Sequence, residues 1–159
     1  MKRLFLSVFM LLVAFATFAQ SRPKLIVGIV VDQMRWDYLH RYYNLYCEGG
    51  FKRLMNEGFD CENTMINYIP AITAVGHTSI YTGAVPSIHG IQANNFLLNG
   101  KMTYCTADST VSGVGTDSKA GQMSPRNMLT TTIGDELKVA TNFKSRVFGV
   151  SIKDRAAIL

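Results

Sequence analysis

The chain has 159 residues, of which 48% are apolar and 17% are charged, and its formal net charge is +5. This composition is typical of a globular protein and excludes an intrinsically disordered chain. The positive charge is modest and forms no basic run or stripe, so the composition gives no support for nucleic-acid binding.

The N-terminus has the layout of a secretory signal peptide. Two cationic residues precede the apolar run Leu4–Phe18, and Ala19 and Gln20 follow it. This run is shorter than the roughly 20 residues that a helix needs to cross a bilayer, which favours a signal over a membrane anchor. We predict a signal peptide over residues 1–19, cut after Ala19 or, as second choice, after Ala16. The mature protein is then periplasmic or secreted, with no stable membrane anchor.

The chain contains three cysteines, Cys47, Cys61 and Cys105. In an oxidising compartment two of them can form one disulfide, and the sequence does not say which two. No CxxC motif is present, so a thiolate zinc site is not indicated.

The first half of the mature chain alternates strand and helix patterns. Leu25–Val31 is a continuous β-branched run, typical of a parallel strand covered on both faces. Residues 36–57 carry apolar side chains at helical spacing, and the pair Gly49–Gly50 divides them into two predicted helices. Phe59–Ile66 is a second predicted strand. This order indicates an α/β fold.

A loop, a short helix and another loop are predicted over residues 67–95, which are rich in Gly, Pro, Asn, Ser and Thr. A hairpin follows, with strands at Asn95–Leu98 and Lys101–Cys105. The turn between them is Asn99–Gly100, and Asn-Gly is the strongest short-range hairpin signal.

The remaining chain is predicted as a polar loop over Thr106–Met123, then a helix and a strand. Ser124–Pro125 has the pattern of a helix N-cap followed by the first helical residue, and the helix extends to about Thr141. Arg146–Ile152 is an apolar strand pattern that ends at Lys153.

Two of the predicted strands end on a charged residue, Asp32 and Lys153. Ligands of parallel α/β sheets bind outside the carboxyl ends of the strands, so the two residues share an edge if both strands join one sheet. Asp32 could bind a metal or a ligand cation, or it could cap the following turn. Lys153 could bind an anion or remain a solvated charge.

Thr73 lies in the segment Pro70–Thr78, where a small-residue turn follows the threonine. At a helix N-terminus its hydroxyl would face a phosphate, with backbone N–H groups nearby to hold the oxygens. A hydroxyl is a weak nucleophile, and metal coordination is one way to activate it. The alternative is that Thr73 only caps the helix.

Four ordered motifs resemble those of bacterial alkaline phosphatases that use threonine as nucleophile, which are related to nucleotide pyrophosphatases and phosphodiesterases. TAVGHTSIYTG from Thr73 resembles the nucleophile segment, and IVVDQMR around Asp32 resembles the first strand with its metal-binding aspartate. PSIHGI followed by Asn94 and Asn95 resembles the segment with a phosphate-binding asparagine. SIKDR over residues 151–155 resembles the segment that contacts a monoester phosphate. The resemblance covers nearly the whole mature chain.

The resemblance implies a three-layer α/β sandwich with a mostly parallel sheet, of which residues 20–159 would be the truncated N-terminal part. It implies hydrolysis of small phosphate monoesters at a two-zinc site through a phosphothreonine intermediate. Asp32 and Thr73 would ligate one zinc, and Thr73 would attack phosphorus. Asn94, Lys153 and Arg155 would bind the non-bridging phosphate oxygens.

The same resemblance places the remaining zinc ligands beyond residue 159, so we expect these 159 residues alone to be inactive. His77 and His89 do not match ligand positions of the family, and His40 is predicted to lie on a helix surface.

Two other functions remain as alternatives. The first is a phosphodiesterase or nucleotide pyrophosphatase of the same superfamily, although the pair Lys153 and Arg155 suits a dianion better than a diester. The second is a truncated binding module without chemistry. A sulfatase is disfavoured because those enzymes need a modified Cys or Ser where this chain has Thr73.

Overall fold

The structure, a computed structural model, describes residues 23–159; the predicted signal peptide lies outside them. The described residues fall into two units, the first ending at Val31 and the second spanning Asp32–Leu159. The described residues of the first unit form neither helix nor strand, so the predicted strand Leu25–Val31 is wrong. A parallel strand depends on hydrogen bonds from neighbouring strands and on cover over both faces. No strand partner exists for this segment among the described residues, and Leu25 is 78% exposed.

The second unit opens with short helices. Helix α1 spans Tyr38–Arg41, a 3₁₀ turn spans Tyr43–Leu45, and α2 spans Phe51–Glu57. The predicted division of this region is confirmed, because Gly50 is the residue immediately before α2. The strand predicted from Phe59 to Ile66 is wrong: these residues form turns and irregular backbone, and Phe59 itself is 94% exposed.

Two helices occupy the region predicted as loop, short helix and loop. Helix α3 spans Thr73–Thr82 and α4 spans Pro86–His89. Each ends at a glycine with a left-handed backbone, Gly83 at φ 67° and Gly90 at φ 81°. Glycine adopts this conformation without the steric cost that a side chain brings, which explains both helix ends.

The predicted hairpin is confirmed. Strand β1 spans Asn95–Leu98 and β2 spans Lys101–Tyr104, antiparallel, with the first residue of β1 opposite the last residue of β2. The two turn residues, Asn99 and Gly100, have φ values of 50° and 78°. Positive φ at both central residues is the requirement of a type I′ turn, whose twist matches that of the strands.

The predicted helix from Ser124 begins later than expected. Helix α5 spans Ile133–Ala140 and is opened by a capping box between Thr132 and Asp135. The Ser124 hydroxyl instead donates to Asp108 Oδ2 over 2.6 Å. Ser124 Oγ also accepts from the backbone N–H of Arg126 over 3.2 Å, so Ser124 caps only a local turn, and the helix starts at the next capping signal.

A 3₁₀ turn at Lys119–Gly121 and helix α6, Asp154–Ile158, complete the elements. The strand predicted over Arg146–Ile152 is wrong, as no described residue pairs with it as a strand neighbour. Its apolar side chains face solvent, with Val150 95% exposed.

The core of the second unit lies where α3, the hairpin and the end of α6 meet. Helix α3 packs against α4, α5 and α6. The buried apolar side chains of this core are Ala74, Ile91, Phe96, Cys105 and Leu159. The three cysteines are free thiols in the structure. None of the helices in residues 23–159 combines the length and apolarity needed to cross a bilayer.

Candidate active site

Thr73 is the first residue of α3 and is buried. The helix N-cap is Ile72, which makes no side-chain capping bond, so Thr73 does not serve as the helix cap. Its hydroxyl instead donates to Asp32 Oδ2 over 3.2 Å. The hydroxyl therefore lies at the positive end of the helix dipole, where backbone N–H groups of the first turn lack intrahelical acceptors.

Asp32 and Lys153 form an ion pair, with Lys153 Nζ 3.2 Å from the same oxygen that accepts from Thr73. The predicted proximity of the two residues is confirmed, although the strands from which it was inferred are not formed. Burial raises the pKa of Asp32, but hydrogen bonds from Lys153 and Thr73, with the charge of Lys153, outweigh it. The pKa therefore lies below its ordinary value, and Asp32 is ionised at neutral pH.

The Asn94 side chain is held at the N-terminus of α3. Its Oδ1 accepts a 3.1 Å hydrogen bond from the backbone N–H of Ala74, the residue after Thr73. A backbone N–H can only donate, so this contact fixes which end of the amide is oxygen. The Nδ2 group has no acceptor among residues 23–159 and is available to donate to an anion beside Thr73.

Arg155 lies in the first turn of α6, which packs against α3. Its Nη1 donates to the Tyr104 hydroxyl over 2.8 Å. Its Nε is buried and has no acceptor among the described residues. The structure therefore places four of the predicted residues, Asp32, Thr73, Asn94 and Lys153, in one cluster, and Arg155 on the neighbouring helix.

The family model of type I phosphodiesterase / nucleotide pyrophosphatase matches residues 26–153, which is most of the chain. The chain belongs to this family. Its fold is the alkaline phosphatase-like α/β fold, present here in part, as two solved structures of alkaline phosphatase PafA show. The wild-type structure superposes with a TM-score of 0.84 at 59% identity, covering 88% of this chain and 28% of that protein. The second structure, also at TM-score 0.84, carries substitutions at a threonine, an asparagine, a lysine and an arginine.

Curated relatives are similar over the same stretch. The alkaline phosphatase PafA of Elizabethkingia meningoseptica is 60% identical over 90% of this chain. A protein of Myroides odoratus named calcium-transporting ATPase is 59% identical over 87% of this chain. The matches cover 27% and 26% of those proteins, so this chain spans about a quarter of the length of the relatives it matches.

The oxygens of Asp32 and Thr73 suit one edge of a cation site. A carboxylate and a hydroxyl 3.2 Å apart can ligate the same divalent ion. Residues 23–159 contain no cluster of three His, Cys, Asp or Glu side chains that could hold a metal. A catalytic zinc needs at least three protein ligands. Asp32 and Thr73 are two, so a zinc ion here would need a further ligand from outside residues 23–159.

The two histidines near Thr73 have structural partners. His77 Nδ1 donates to the Thr73 carbonyl over 2.8 Å. His89 Nδ1 accepts from the backbone N–H of Ile91, so its Nε2 carries the proton and donates to Ser79 Oγ over 3.0 Å. Burial lowers the pKa of His89 and keeps it neutral. Because Nε2 is a donor, His89 cannot serve as a base toward Ser79.

Sequence reasoning assigned no role to Tyr104 or Asp154. Asp154 belongs to the SIKDR segment, and its position between Lys153 and Arg155 is the only signal in the sequence. Tyr104, at the end of β2, has no such signal; its hydroxyl reaches Asp154 Oδ1 at 2.8 Å across 50 residues of sequence.

Proposed function

We propose that the protein to which this chain belongs is an exported alkaline phosphatase-type enzyme that hydrolyses small phosphate monoesters, with Thr73 as nucleophile. The observation that carries the proposal is the shared hydrogen bonding of Thr73 and Lys153 to Asp32 Oδ2 at the N-terminus of a helix. A buried hydroxyl, a carboxylate and a cation thus converge where a phosphate would meet the positive end of the helix dipole.

The substituted positions in the solved variant of alkaline phosphatase PafA add support. The threonine and asparagine replaced there are 21 residues apart, and Thr73 and Asn94 are also 21 apart. The lysine and arginine replaced there are 2 residues apart, as are Lys153 and Arg155. We therefore assign Thr73 as catalytic and Asn94, Lys153 and Arg155 as phosphate-binding.

In the proposed reaction, Thr73 Oγ attacks phosphorus, the bond between phosphorus and the ester oxygen breaks, and the ester oxygen takes a proton from water and leaves as the alcohol. Water then attacks the phosphothreonine, which releases inorganic phosphate and restores Thr73. The hydrogen bonds that keep Asp32 ionised suit it to hold a cation rather than to take the Thr73 proton, which goes to solvent. Asn94 Nδ2, Lys153 and Arg155 hold the three non-bridging oxygens.

We propose that Asp32 and Thr73 ligate one zinc of a pair, with the remaining ligands outside residues 23–159. Bound zinc supplies positive charge that makes the Thr73 hydroxyl a stronger nucleophile and stabilises the leaving oxygen. We also propose that residues 1–19 are removed as a signal peptide, that residues 20–159 form the N-terminal part of the catalytic domain, and that the mature protein is periplasmic or secreted. Mass spectrometry of the exported protein tests the cleavage site, for which Gln20 is the expected first residue.

The second candidate function is phosphodiesterase activity, which the description of the matching family favours. The charge of the site decides between the two. A monoester phosphate is a dianion with three non-bridging oxygens, and a diester is a monoanion with two. Two cationic side chains suit the dianion better.

The test compares kcat/KM for a nitrophenyl phosphate monoester and a bis-nitrophenyl diester, using the complete product of the gene that encodes this chain, loaded with zinc. We expect a higher kcat/KM for the monoester, and Lys153→Ala to lower it for the monoester more than for the diester. A higher diester rate that is insensitive to Lys153→Ala would instead establish a phosphodiesterase. Phosphate binding without turnover, equal in wild type and Thr73→Ala, would indicate a binding module.

A further inference from the structure

Tyr104 lies between the only arginine assigned to phosphate binding and a carboxylate. Arg155 Nη1 donates to the Tyr104 oxygen over 2.8 Å, and the Tyr104 hydroxyl donates to Asp154 Oδ1 over 2.8 Å. The direction of both bonds is unambiguous, because a guanidinium only donates and a carboxylate only accepts. The single phenolic hydrogen must therefore point at Asp154, which leaves the oxygen lone pair for Arg155.

Asp154 is fixed in turn. Its second oxygen, Oδ2, accepts from Thr106 Oγ1 over 2.8 Å. Burial raises the pKa of Asp154, but hydrogen bonds from Tyr104 and Thr106 outweigh it and hold the pKa below its ordinary value. Burial also raises the pKa of Tyr104, so the phenol stays protonated at neutral pH and remains a donor. The three groups thus form one ordered chain of hydrogen bonds that ends on Arg155.

The arrangement keeps the charge of Arg155 available. Asp154 and Arg155 are consecutive residues at the start of α6, and no ion pair between Arg155 and a carboxylate occurs in the part of the chain that the structure describes. A direct ion pair would neutralise the guanidinium, whereas a neutral phenol orients it without cancelling its charge. The buried Nε has no acceptor among the described residues, so one donor of the guanidinium is unused there.

The Tyr104 ring is itself held in place. It packs against the core cluster that contains Ala74, the residue after Thr73. The ring therefore packs on the same core that buries the first turn of α3, which limits its movement.

We infer that Tyr104 is a positioning residue that, oriented by Asp154, holds the Arg155 guanidinium for a phosphate dianion bound at Thr73. This inference rests on the proposed phosphate-binding role of Arg155. Without the Tyr104 hydroxyl, Arg155 regains rotational freedom, and Asp154 Oδ1 is left as a competing acceptor for it.

The test is a double-mutant cycle in the complete zinc-loaded gene product, with the variants Tyr104→Phe, Arg155→Ala and both together. We expect Tyr104→Phe to lower monoester kcat/KM by about tenfold, since a hydrogen bond to a charged group is at stake. The same change should raise the inhibition constant of inorganic phosphate by a similar factor. In the Arg155→Ala background Tyr104→Phe should change kcat/KM less than about twofold, because the group that it positions is gone.

Tyr46→Phe is the matched control, since Tyr46 also donates a 2.8 Å hydrogen bond, to the Tyr38 carbonyl, away from the site. It should leave both constants unchanged. Asp154→Asn keeps an acceptor for Tyr104 and should lose less activity than Asp154→Ala. An equal loss from Tyr104→Phe with and without Arg155, or no loss at all, would overturn the inference.

The Arg155 side chain can also be observed directly. In ¹⁵N–¹H spectra of the guanidinium, with Arg155→Ala for assignment, we expect slower rotation about the Cζ–Nη bonds in wild type than in Tyr104→Phe. Equal rotation in both would overturn the positioning role. If rotation differs but Arg155→Ala leaves phosphate inhibition unchanged, the proposed role of Arg155 fails while the anchoring by Tyr104 stands.

Discussion

Helix α3 and the segment 146–152 both carry several apolar side chains, but those at the start of α3 are buried and those of the segment are exposed. Ala74 and Val75 of α3 are fully buried, whereas Val150 and Ile152 are fully or almost fully exposed. The partners of α3 are the hairpin and the short helices within the described residues. The segment 146–152 is a strand pattern without a strand partner among those residues. The helix that carries the proposed nucleophile therefore finds its packing partners within the described residues. The parallel sheet that would flank it does not form among them.

The largest effect in this comparison should come from Thr73 itself. We expect Thr73→Ala to lower kcat for a phosphate monoester by about a thousandfold or more in the complete gene product, because it removes the proposed attacking oxygen. Steady-state kinetics measure the loss. Thr82→Ala, at the other end of the same helix, is the control and should retain most of the activity. Near-normal turnover by Thr73→Ala would refute the assignment of the nucleophile.

The second prediction compares a buried and an exposed apolar side chain. Ile91 is fully buried in the core, so Ile91→Ala should lower the free energy of unfolding of the complete protein by about 2–5 kcal/mol. Urea denaturation measures this change. The cavity left beside Ala74 and Phe96 cannot fill from solvent without placing water against apolar atoms.

Ile152→Ser provides the other half of that comparison. In the 159-residue chain the side chain is exposed, and the change should alter stability by less than about 0.5 kcal/mol. In the complete protein, where we expect a mostly parallel sheet, the same change should destabilise far more. An equally small effect in both would mean that residues 146–152 stay exposed and that the strand prediction fails there too.

The sequence predictions succeeded where a structure depends on neighbouring residues and failed where it depends on contacts with distant residues. The hairpin was predicted correctly because its turn depends on two adjacent residues, Asn99 and Gly100. The helix predicted from Ser124 was misplaced because Ser124 caps only a local turn, while its hydroxyl binds Asp108, 16 residues earlier. The strands predicted outside the hairpin, over Leu25–Val31, Phe59–Ile66 and Arg146–Ile152, failed because strand formation requires a partner, and an apolar run does not specify one.

The candidate site shows the same limit. Asp32 and Lys153, 121 residues apart, were expected together from a general rule about sheet edges, and they form an ion pair. The roles of Thr73, Asn94 and Arg155 came from motif resemblance and remain predictions. The contact between Tyr104 and Asp154 left no pattern in the sequence, because two single residues far apart carry it.

The third prediction concerns the loop between the hairpin and α5. Hydrogen bonds from Ser124 and Thr110, supplemented by Arg126, hold the pKa of Asp108 well below its ordinary value of 3.8. A carboxylate with a lowered folded-state pKa stabilises the fold above its unfolded pKa, and this stabilisation is lost as the pH falls toward the folded value. Asp108→Asn should therefore lower the melting temperature at pH 7 by several degrees.

The pH dependence of the melting temperature tests whether the charge of Asp108 is responsible. The difference in melting temperature between wild type and Asp108→Asn should narrow as the pH falls below about 4. Asp117→Asn, an exposed position in the same loop, is the control and should shift the melting temperature little at any pH. A difference that stays constant from pH 7 to pH 3 would show that the charge of Asp108 contributes nothing.

Apart from Ile152→Ser in the 159-residue chain, the smallest expected effect is at the hairpin turn, whose signal is wholly local. Gly100 has φ 78° with no heavy atom near the position that a Cβ would take, so a side chain there meets backbone strain alone. Gly100→Ala should therefore cost about 1 kcal/mol in the free energy of unfolding. Asn99→Gly, at the other turn residue with positive φ, should cost less, since glycine accepts that conformation. Urea denaturation of both variants measures the difference, and an equal cost would mean that something other than backbone conformation determines the turn.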